Sequence, residues 1–451
     1  GEIQLILPTV IYFLLTLLSV YYFLNRFISR KAALISCLLL TSTPIMIFIT
    51  TMTRPGMTEA FFVVLSFVLF WIAPRGAMPG KMMLLAGIAA GLAWITRETT
   101  IALLIVYSIF FLAGWRISRP YYWIMAAGFI AVLICDAGYS TVMSGDPLYR
   151  YKTIISSHSA ELSKNVDAQA PLLGVGEAVS SAPGNISVHW LIDPLAAILV
   201  NQEFGLLFWF AIPIGAWLCF SPGVNPLHRE AARFLALLAL VWFVMVSYGL
   251  GLREQPRYYA VPAIAAAALI GIGAANYAGT IPRPVVIALI ALLISVNLLC
   301  FYIDNENPLY EERMAVKLAG ELAEPIYTNT NSALMANRLL QVKQLSEVVS
   351  DAVPPAGGVY FYVPCKEEDL PCNTLKRQAI REGFDPEKQK ANWTPIWHND
   401  PGRKISGILI EKAGLKHLIP SSIYYKLDYP SQPVTAYRVS GERAGKPAAT
   451  P

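Results

Sequence analysis

Some of the charged residues in the first 303 positions stand in mixed-sign groups between long apolar runs. Three such groups are TMTRPGMTEAFF, ITRETT and GLREQPRYYAVP. Ionisable groups at membrane depth are costly, so they are functional candidates by default. Arginine binds phosphate through a planar fork of donors, whereas glutamate can bind sugar hydroxyls, hold an arginine in place or accept a proton. The candidates from the three groups are Arg54, Glu59, Arg97, Glu98, Arg253, Glu254, Arg257 and Tyr258.

A long polar segment at about residues 140–200 adds two more candidates. It opens with SGDPLYRYKT, which contains Asp146 and Arg150. A loop of this length usually covers or forms a site. Several arginines with tyrosines at a membrane interface suit a ligand that has a phosphate head and an apolar tail, such as a lipid-linked phosphosugar. The alternative is that these residues are ordinary helix-end charges, solvated or paired at the interface.

The composition indicates what must position these residues. The chain has 451 residues, is 55% hydrophobic and is only 14% charged, whereas a soluble domain carries about 25% charge. These values exclude an ordinary soluble enzyme and a disordered chain, and no basic run suggests nucleic acid binding. A spanning helix needs about 20 apolar residues. Ten candidates are Leu5–Leu24, Ala32–Thr51, Thr58–Ala73, Met82–Thr96, Thr100–Trp115, Tyr121–Tyr139, Phe204–Phe220, Ala232–Leu250, Tyr259–Tyr277 and Val285–Tyr302.

The charges also divide the chain into two parts. The 148 residues from Asp304 onward hold 18 of the 30 acidic and 18 of the 35 basic residues. We therefore expect a mostly α protein, with a transmembrane bundle of about ten helices over residues 1–303. A small α/β domain follows over residues 304–444, with an amphipathic helix at 309–323 and strands in PIYTNT, GVYFYVP, KHLIP and VTAYRV. Residues 445–451 are expected to be a disordered tail.

The orientation follows from Lys and Arg in the short loops, because such residues concentrate on the cytoplasmic side. One set of alternate loops holds ten of them, whereas the loops around Arg54, Arg97 and Arg253 hold four. Both ends of the chain are therefore expected outside the cytoplasm, with the protein in a bacterial inner membrane and the C-terminal domain in the periplasm. Because the chain begins outside and with Gly1, we expect an odd number of upstream spans, most simply one.

Two cysteines lie in the segment that is expected to be outside. Cys365 and Cys372 frame the loop CKEEDLPC. In an oxidising compartment they can close a small disulfide loop, and the alternative is two free thiols.

Three of these segments together resemble the GT-C fold glycosyltransferases, in particular glycosyltransferase family 39 and the aminoarabinose-transferase-like group. They are SRKAALISCLLLTSTPIMIFITTMTRPGMTEAFFVVLSF, AGIAAGLAWITRETTIALL and LREQPRYYAVPAIAAAALIGIG, in that order. GDPLYRY resembles the long outer loop of many bacterial members. The resemblance covers about residues 1–303.

This resemblance implies transfer of a sugar, with inversion, from a polyprenyl-phosphate donor to a lipid, glycan or protein acceptor outside the membrane. It implies that the general base lies upstream of Gly1, since members carry an essential acidic residue in the first outer loop and Leu5–Leu24 resembles their second helix. Glu59 stands near a position where members often have Asp, and we assign it to substrate or metal binding. Some members bind a divalent cation, although this sequence offers no clear ligand set for one.

Two other functions stay open at this point. A lipid-linked sugar flippase or another transporter is expected to show internal repeats and charged or broken helices near the midplane. The sequence shows no repeat, and its charges lie at helix ends. An O-antigen polymerase or ligase would share the donor and the long outer loop but lack the RYYAVP pattern.

Overall fold

The computed structural model describes residues 2–51, 55–115, 117–153, 194–195, 198–199, 201–250, 256–277, 282–304, 310–322, 324–343, 348–363, 386–418, 427–428 and 433–440. The chain divides into two compact units. One is Gln4–Phe301, and the other consists of Tyr302–Pro451 together with Gly1–Ile3. Each unit has a hydrophobic core of its own.

The first unit is helical, which confirms the predicted multi-pass membrane bundle. Seven of its described helices are long and apolar enough to cross a membrane, or eight if a bent pair counts as one span. Two shorter apolar helices complete the ten predicted segments. The helices in the described residues are α1 (Glu2–Phe27), α2 (Arg30–Ser42), α3 (Pro44–Thr51), α4 (Gly56–Ile72), α5 (Pro79–Thr96), α6 (Ile101–Ala113), α7 (Arg119–Ser144), α8 (Leu207–Phe220), α9 (Pro226–Val244), α10 (Ala260–Tyr277) and α11 (Arg283–Asp304).

The predicted span Ala32–Thr51 is not one straight helix. It consists of α2 and α3, which meet at an angle of 64°. Pro44 has no backbone N–H and disfavours helical geometry in the residue before it. Thr43 accordingly has an extended backbone, with φ −75° and ψ 123°. The expectation of a single helix is therefore wrong in this detail, because the proline breaks the helix.

Small residues allow the helices of this unit to approach closely. A Cβ atom on Gly87 in α5 would overlap the backbone of Met125 in α7, and one on Gly128 would overlap the carbonyl oxygen of Leu84. Gly87 and Gly91 form a GxxxG spacing on α5, a pattern that favours such close packing of helices in membranes. Among the candidate spans in the described residues, the alanine-rich α10 is the most deeply buried.

The second unit is a small α/β fold. Its described helices are α12 (Tyr310–Leu322), α13 (Thr330–Lys343), α14 (Pro386–Gln389) and α15 (Ile405–Lys412). Its strands are β1 (Ile326–Tyr327), β2 (Val349–Ser350), β3 (Val359–Tyr362), β4 (Thr394–Asn399) and β5 (Val434–Arg438), in the spatial order β2-β1-β3-β5-β4. β1 pairs in parallel with β2 and β3, whereas β5 pairs antiparallel with β3 and β4.

The two faces of this sheet differ in composition. Val359, Phe361 and Ala436 belong to a core that also contains residues of α12 and α13, whereas Tyr360 and Tyr362 pack with Trp393 on the other face. This alternation is the period-2 pattern of a sheet buried on both sides.

The strand assignments made from the sequence need correction in two ways. The predicted strand KHLIP is wrong for Lys416–Leu418, which form a 3₁₀ turn, and its last two residues lie outside the described residues. The prediction also missed β2 and β4. β2 has only two residues, and β4 is largely exposed, so the hydrophobic alternation that marks a half-buried strand is absent from it.

Candidate functional site

Three segments of the helical unit come together at one group of charged and aromatic side chains. They are the first turn of α4, which carries Glu59, the turn between α5 and α6, which carries Arg97, and the 3₁₀ turn Pro256–Tyr259 before α10. Arg97 ends α5 with an extended backbone, φ −161° and ψ 140°, and Glu98–Thr100 form a 3₁₀ turn. Each side chain is thus held at a helix end.

Glu59 is the centre of this group and is only 3% exposed. The hydroxyls of Thr99 and Thr100 both donate to its Oε1, the second across 3.2 Å. Its other oxygen, Oε2, lies 3.7 Å from Nη1 of Arg97, which is 8% exposed. A buried carboxylate is costly unless it is paired and hydrogen-bonded, and Glu59 meets both conditions.

Two guanidinium groups make cation–π contacts with the ring of Tyr258. Cζ of Arg97 lies 4.0 Å from the ring centroid, and Cζ of Arg257 lies 5.2 Å from it. Such cation–π contacts hold a guanidinium plane in place without using its N–H donors. Among the described residues, the buried atoms Nη1 of Arg97 and Nε of Arg257 have no hydrogen-bond partner. The site therefore contains oriented donors that no described protein group saturates.

The tyrosine itself is anchored by α9 and its extension. Trp242 Nε1 donates to the carbonyl oxygen of Tyr258 across 2.9 Å, and the hydroxyls of Ser247 and Tyr259 lie 2.8 Å apart. Ser247 belongs to a π-helical turn, Met245–Gly249, that continues α9. π insertions in helices often lie at functional sites.

A small apolar cavity lies among the helices that carry the site. It is lined by side chains of α1, α4, α9 and α10, including Val64, Leu238 and Val261. Val261 and Val64 belong to α10 and α4, three residues after Tyr258 and five residues after Glu59 in the sequence.

Residues 1–137 match the family model of dolichyl-phosphate-mannose-protein mannosyltransferases. This match confirms the predicted resemblance to GT-C membrane glycosyltransferases for that part of the chain. The matched range contains Glu59 and Arg97, whereas Arg257 and Tyr258 lie beyond it. No curated protein matches the chain significantly.

Several solved structures are similar to the chain. Apo ArnT from Cupriavidus metallidurans has 16% identity and a TM-score of 0.41, with 75% of this chain and 57% of that one covered. The same protein bound to undecaprenyl phosphate has 14% identity and a TM-score of 0.33, with 99% and 86% covered. The apo oligosaccharyltransferase of Archaeoglobus fulgidus has 16% identity and a TM-score of 0.41, with 71% and 47% covered. The chain thus spans little more than half the length of apo ArnT.

The other predicted site residues fall into two groups. Arg54, Arg253 and Glu254 lie outside the described residues, as do Cys365 and Cys372. Glu98 is half-buried in the turn beside Glu59.

Asp146 and Arg150 have partners of their own. Lys152 Nζ lies 2.5 Å from Asp146 Oδ2, and Arg150 Nη1 lies 3.4 Å from Asp136 Oδ2. The hydrogen bond from Lys152 lowers the pKa of the Asp146 carboxyl. The first pair connects two residues at the start of the long segment, and the second connects that segment with Asp136 of α7.

The sequence reasoning missed three polar residues. Thr99 and Thr100 bind Glu59, and Asp136 binds Arg150. Asp136 interrupts the apolar run ICDAGY, which is itself a signal by the rule for charges in membrane segments. The two threonines directly follow the charged pair of ITRETT, but no pattern in the sequence indicates that they bind a residue forty positions away.

The described residues offer no ready metal site. In the parts of the chain covered by the structure, no three His, Cys, Asp or Glu side chains are grouped so that they could hold an ion. The groups that converge in the site are the guanidiniums of Arg97 and Arg257, the two threonine hydroxyls and the buried carboxylate of Glu59, a set that favours an anionic ligand over a cation.

Proposed function

We propose that this multi-pass membrane protein is a glycosyltransferase. It transfers a sugar, with inversion, from a polyprenyl-phosphate donor to a lipid, glycan or protein acceptor on the outer face of a bacterial inner membrane. The observation that carries the proposal is the pair of guanidinium groups over Tyr258, each with a buried N–H that has no described partner. The matched family model, which describes transfer from a lipid-linked phosphosugar, supports the same class of donor.

The chemistry suits these groups. A polyprenyl phosphate leaves as an anion, so the reaction is accelerated by donors that are already oriented toward the developing charge. Arginine provides such donors in a planar fork that matches phosphate. In this proposal Arg97 and Arg257 bind the donor phosphate, and Arg54 and Arg253 are further candidates for the same role.

The acidic residues have supporting roles in this proposal. Glu59 already accepts two hydroxyls and faces Arg97, so we assign it to donor binding rather than to removal of the acceptor proton. We propose that three further acidic residues and one arginine contact the sugar or the acceptor, namely Glu98, Glu254, Asp146 and Arg150.

The test compares two lipids that differ only in the phosphate. The whole chain, reconstituted in lipid nanodiscs, should bind undecaprenyl phosphate more tightly than undecaprenol. Replacing Arg257 by Ala removes a charge-assisted contact worth about 1.5–3 kcal/mol. We therefore expect about a ten- to hundredfold loss of affinity for undecaprenyl phosphate and no change for undecaprenol.

Arg119 provides a matched control. It is exposed, and its guanidinium lies 5.7 Å from the ring of Phe111, so it is also an arginine beside one aromatic ring. Arg119→Ala should leave both affinities unchanged, whereas Arg257→Lys should retain part of the preference for phosphate. Equal affinity of the unaltered protein for the two lipids would contradict the donor-site assignment. Release of undecaprenyl phosphate from a lipid-linked sugar, on addition of envelope extract, would distinguish transfer from transport.

A further inference from the structure

The contacts of Glu59 are unequal in a way that affects Arg97. Oε1 accepts both threonine hydroxyls, whereas Oε2 lies 3.7 Å from Nη1 of Arg97 and makes no hydrogen bond to it. A charge-assisted hydrogen bond between guanidinium and carboxylate usually spans about 2.7–2.9 Å. The ion pair is therefore open, although both partners are buried.

We propose that Thr99 and Thr100 are positioning residues, which hold the Glu59 carboxylate back from Arg97 so that the guanidinium keeps a donor free for the donor phosphate. The inference rests on the proposed function, because it assigns the free N–H to the lipid phosphate. It deepens that function by naming residues that do not touch the ligand but set its affinity.

Elementary electrostatics explains why a restraint is needed. At low dielectric, opposite charges attract strongly, and an unrestrained carboxylate and guanidinium close into a two-point pair. Such a pair would use the donors of Arg97. The two threonine hydroxyls give the carboxylate other donors. Both hydroxyls donate to Oε1, whereas the oxygen that faces Arg97 is Oε2.

The threonines are well suited to this restraint. Both are completely buried, and both lie in the 3₁₀ turn that begins after Arg97 itself. Their β-branched side chains have few rotamers, so the hydroxyls are held in place. The Tyr258 ring, whose centroid lies 4.0 Å from Cζ of Arg97, limits the rotation of the guanidinium.

The experiment replaces Thr99 and Thr100 by valine, which removes the two hydroxyl groups and keeps the shape of the side chains. In nanodiscs, Thr99→Val with Thr100→Val should lower affinity for undecaprenyl phosphate about tenfold, the size expected for one lost charge-assisted contact. Affinity for undecaprenol should not change. Thr99→Ser with Thr100→Ser retains the hydroxyls and should bind within about twofold of the unaltered protein. Adding Glu59→Gln to the double valine variant should recover phosphate affinity, because a neutral amide no longer attracts Arg97 as an ion.

A merely structural role gives different results. It predicts that the double valine variant loses thermal stability and binds both lipids worse, and that Glu59→Gln does not restore binding. Either result would overturn the inference. If the double variant does not fold, the single variant Thr100→Val, which removes the 3.2 Å hydrogen bond, carries the same comparison with a smaller effect.

Arg97→Ala separates this inference from the proposed function. If Arg97→Ala lowers phosphate affinity while the valine variants do not, the positioning role is wrong and the donor site stands. If Arg97→Ala and Arg257→Ala both leave the preference for phosphate intact, the donor site is wrong and the positioning role is wrong with it.

Discussion

Glu59 illustrates how a buried charge is tolerated inside a membrane bundle. Transfer of an isolated carboxylate into an apolar interior costs many kcal/mol. The group must therefore be paired and hydrogen-bonded, since otherwise it takes up a proton and loses its charge. Here two hydroxyls and one guanidinium share the task, and the guanidinium is supported in turn by an aromatic ring. A purely structural pair would be expected to close. The separation of 3.7 Å between Glu59 Oε2 and Arg97 Nη1 is therefore the feature at the residue scale that most favours the binding of a ligand here.

At the residue scale, one prediction concerns Cys365 and Cys372. If the pair is bonded, reduction should raise the number of cysteines that an alkylating reagent modifies in the denatured protein by two. Replacement of both Cys365 and Cys372 by Ser should abolish that increase. Six reactive thiols without reduction would show that the pair is not bonded.

At the scale of elements, small residues decide which helices can touch. α5 and α7 meet where Gly87 and Gly128 bring the two backbones together, and α10 meets α2 where Gly271 packs against Ala32 and Ser36. In lipid, association of helices depends on such close packing, because the surrounding tails are as apolar as the side chains. α5 ends at Arg97, so its contact with α7 also supports the position of that guanidinium.

Two glycines of α7 provide a matched test of this packing. A Cβ on Gly128 would overlap the carbonyl oxygen of Leu84, whereas one on Gly138 would meet no atom within 4 Å. Gly128→Ala should lower the free energy of unfolding by about 1–3 kcal/mol through overpacking. Gly138→Ala should raise it by about 0.5–1 kcal/mol, since alanine is the better helix former.

Thermal unfolding in detergent measures both effects on the same helix. If the two substitutions change stability equally, the close approach of α5 and α7 does not contribute as the geometry indicates.

At the scale of the whole molecule, the chain combines a membrane bundle with a compact α/β unit that carries most of the charge. The bundle contains seven or eight candidate spans among its described residues, plus two shorter apolar helices. The charge asymmetry of its short loops, ten Lys or Arg against four, predicts that the α/β unit is outside the cytoplasm. On that orientation the Glu59–Arg97–Tyr258 group faces the outer side, where a flipped lipid-linked donor would present its sugar.

Reporter fusions test this orientation. Alkaline phosphatase joined after Ala444 should be active, and a green fluorescent protein at the same position should be dark, because each reporter folds in only one compartment. A truncation after Gly223, in a turn predicted to be cytoplasmic, should give the reverse pattern. Fluorescence of the fusion after Ala444 would contradict the predicted topology.

What the sequence by itself determined follows from properties that are local. Hydrophobicity adds up along a segment, so all ten apolar segments and the division near Asp304 could be predicted without a structure. The mixed-sign groups could be recognised because charges are rare in apolar surroundings.

What only the tertiary structure decided depends on how helices approach each other. The 64° bend at Pro44, the partner of Arg150 and the order of the five strands are of this kind. So are the two threonine hydroxyls on Glu59, because hydrogen bonds between residues about forty positions apart form only when the packing of α4 against the α5–α6 turn brings these side chains together.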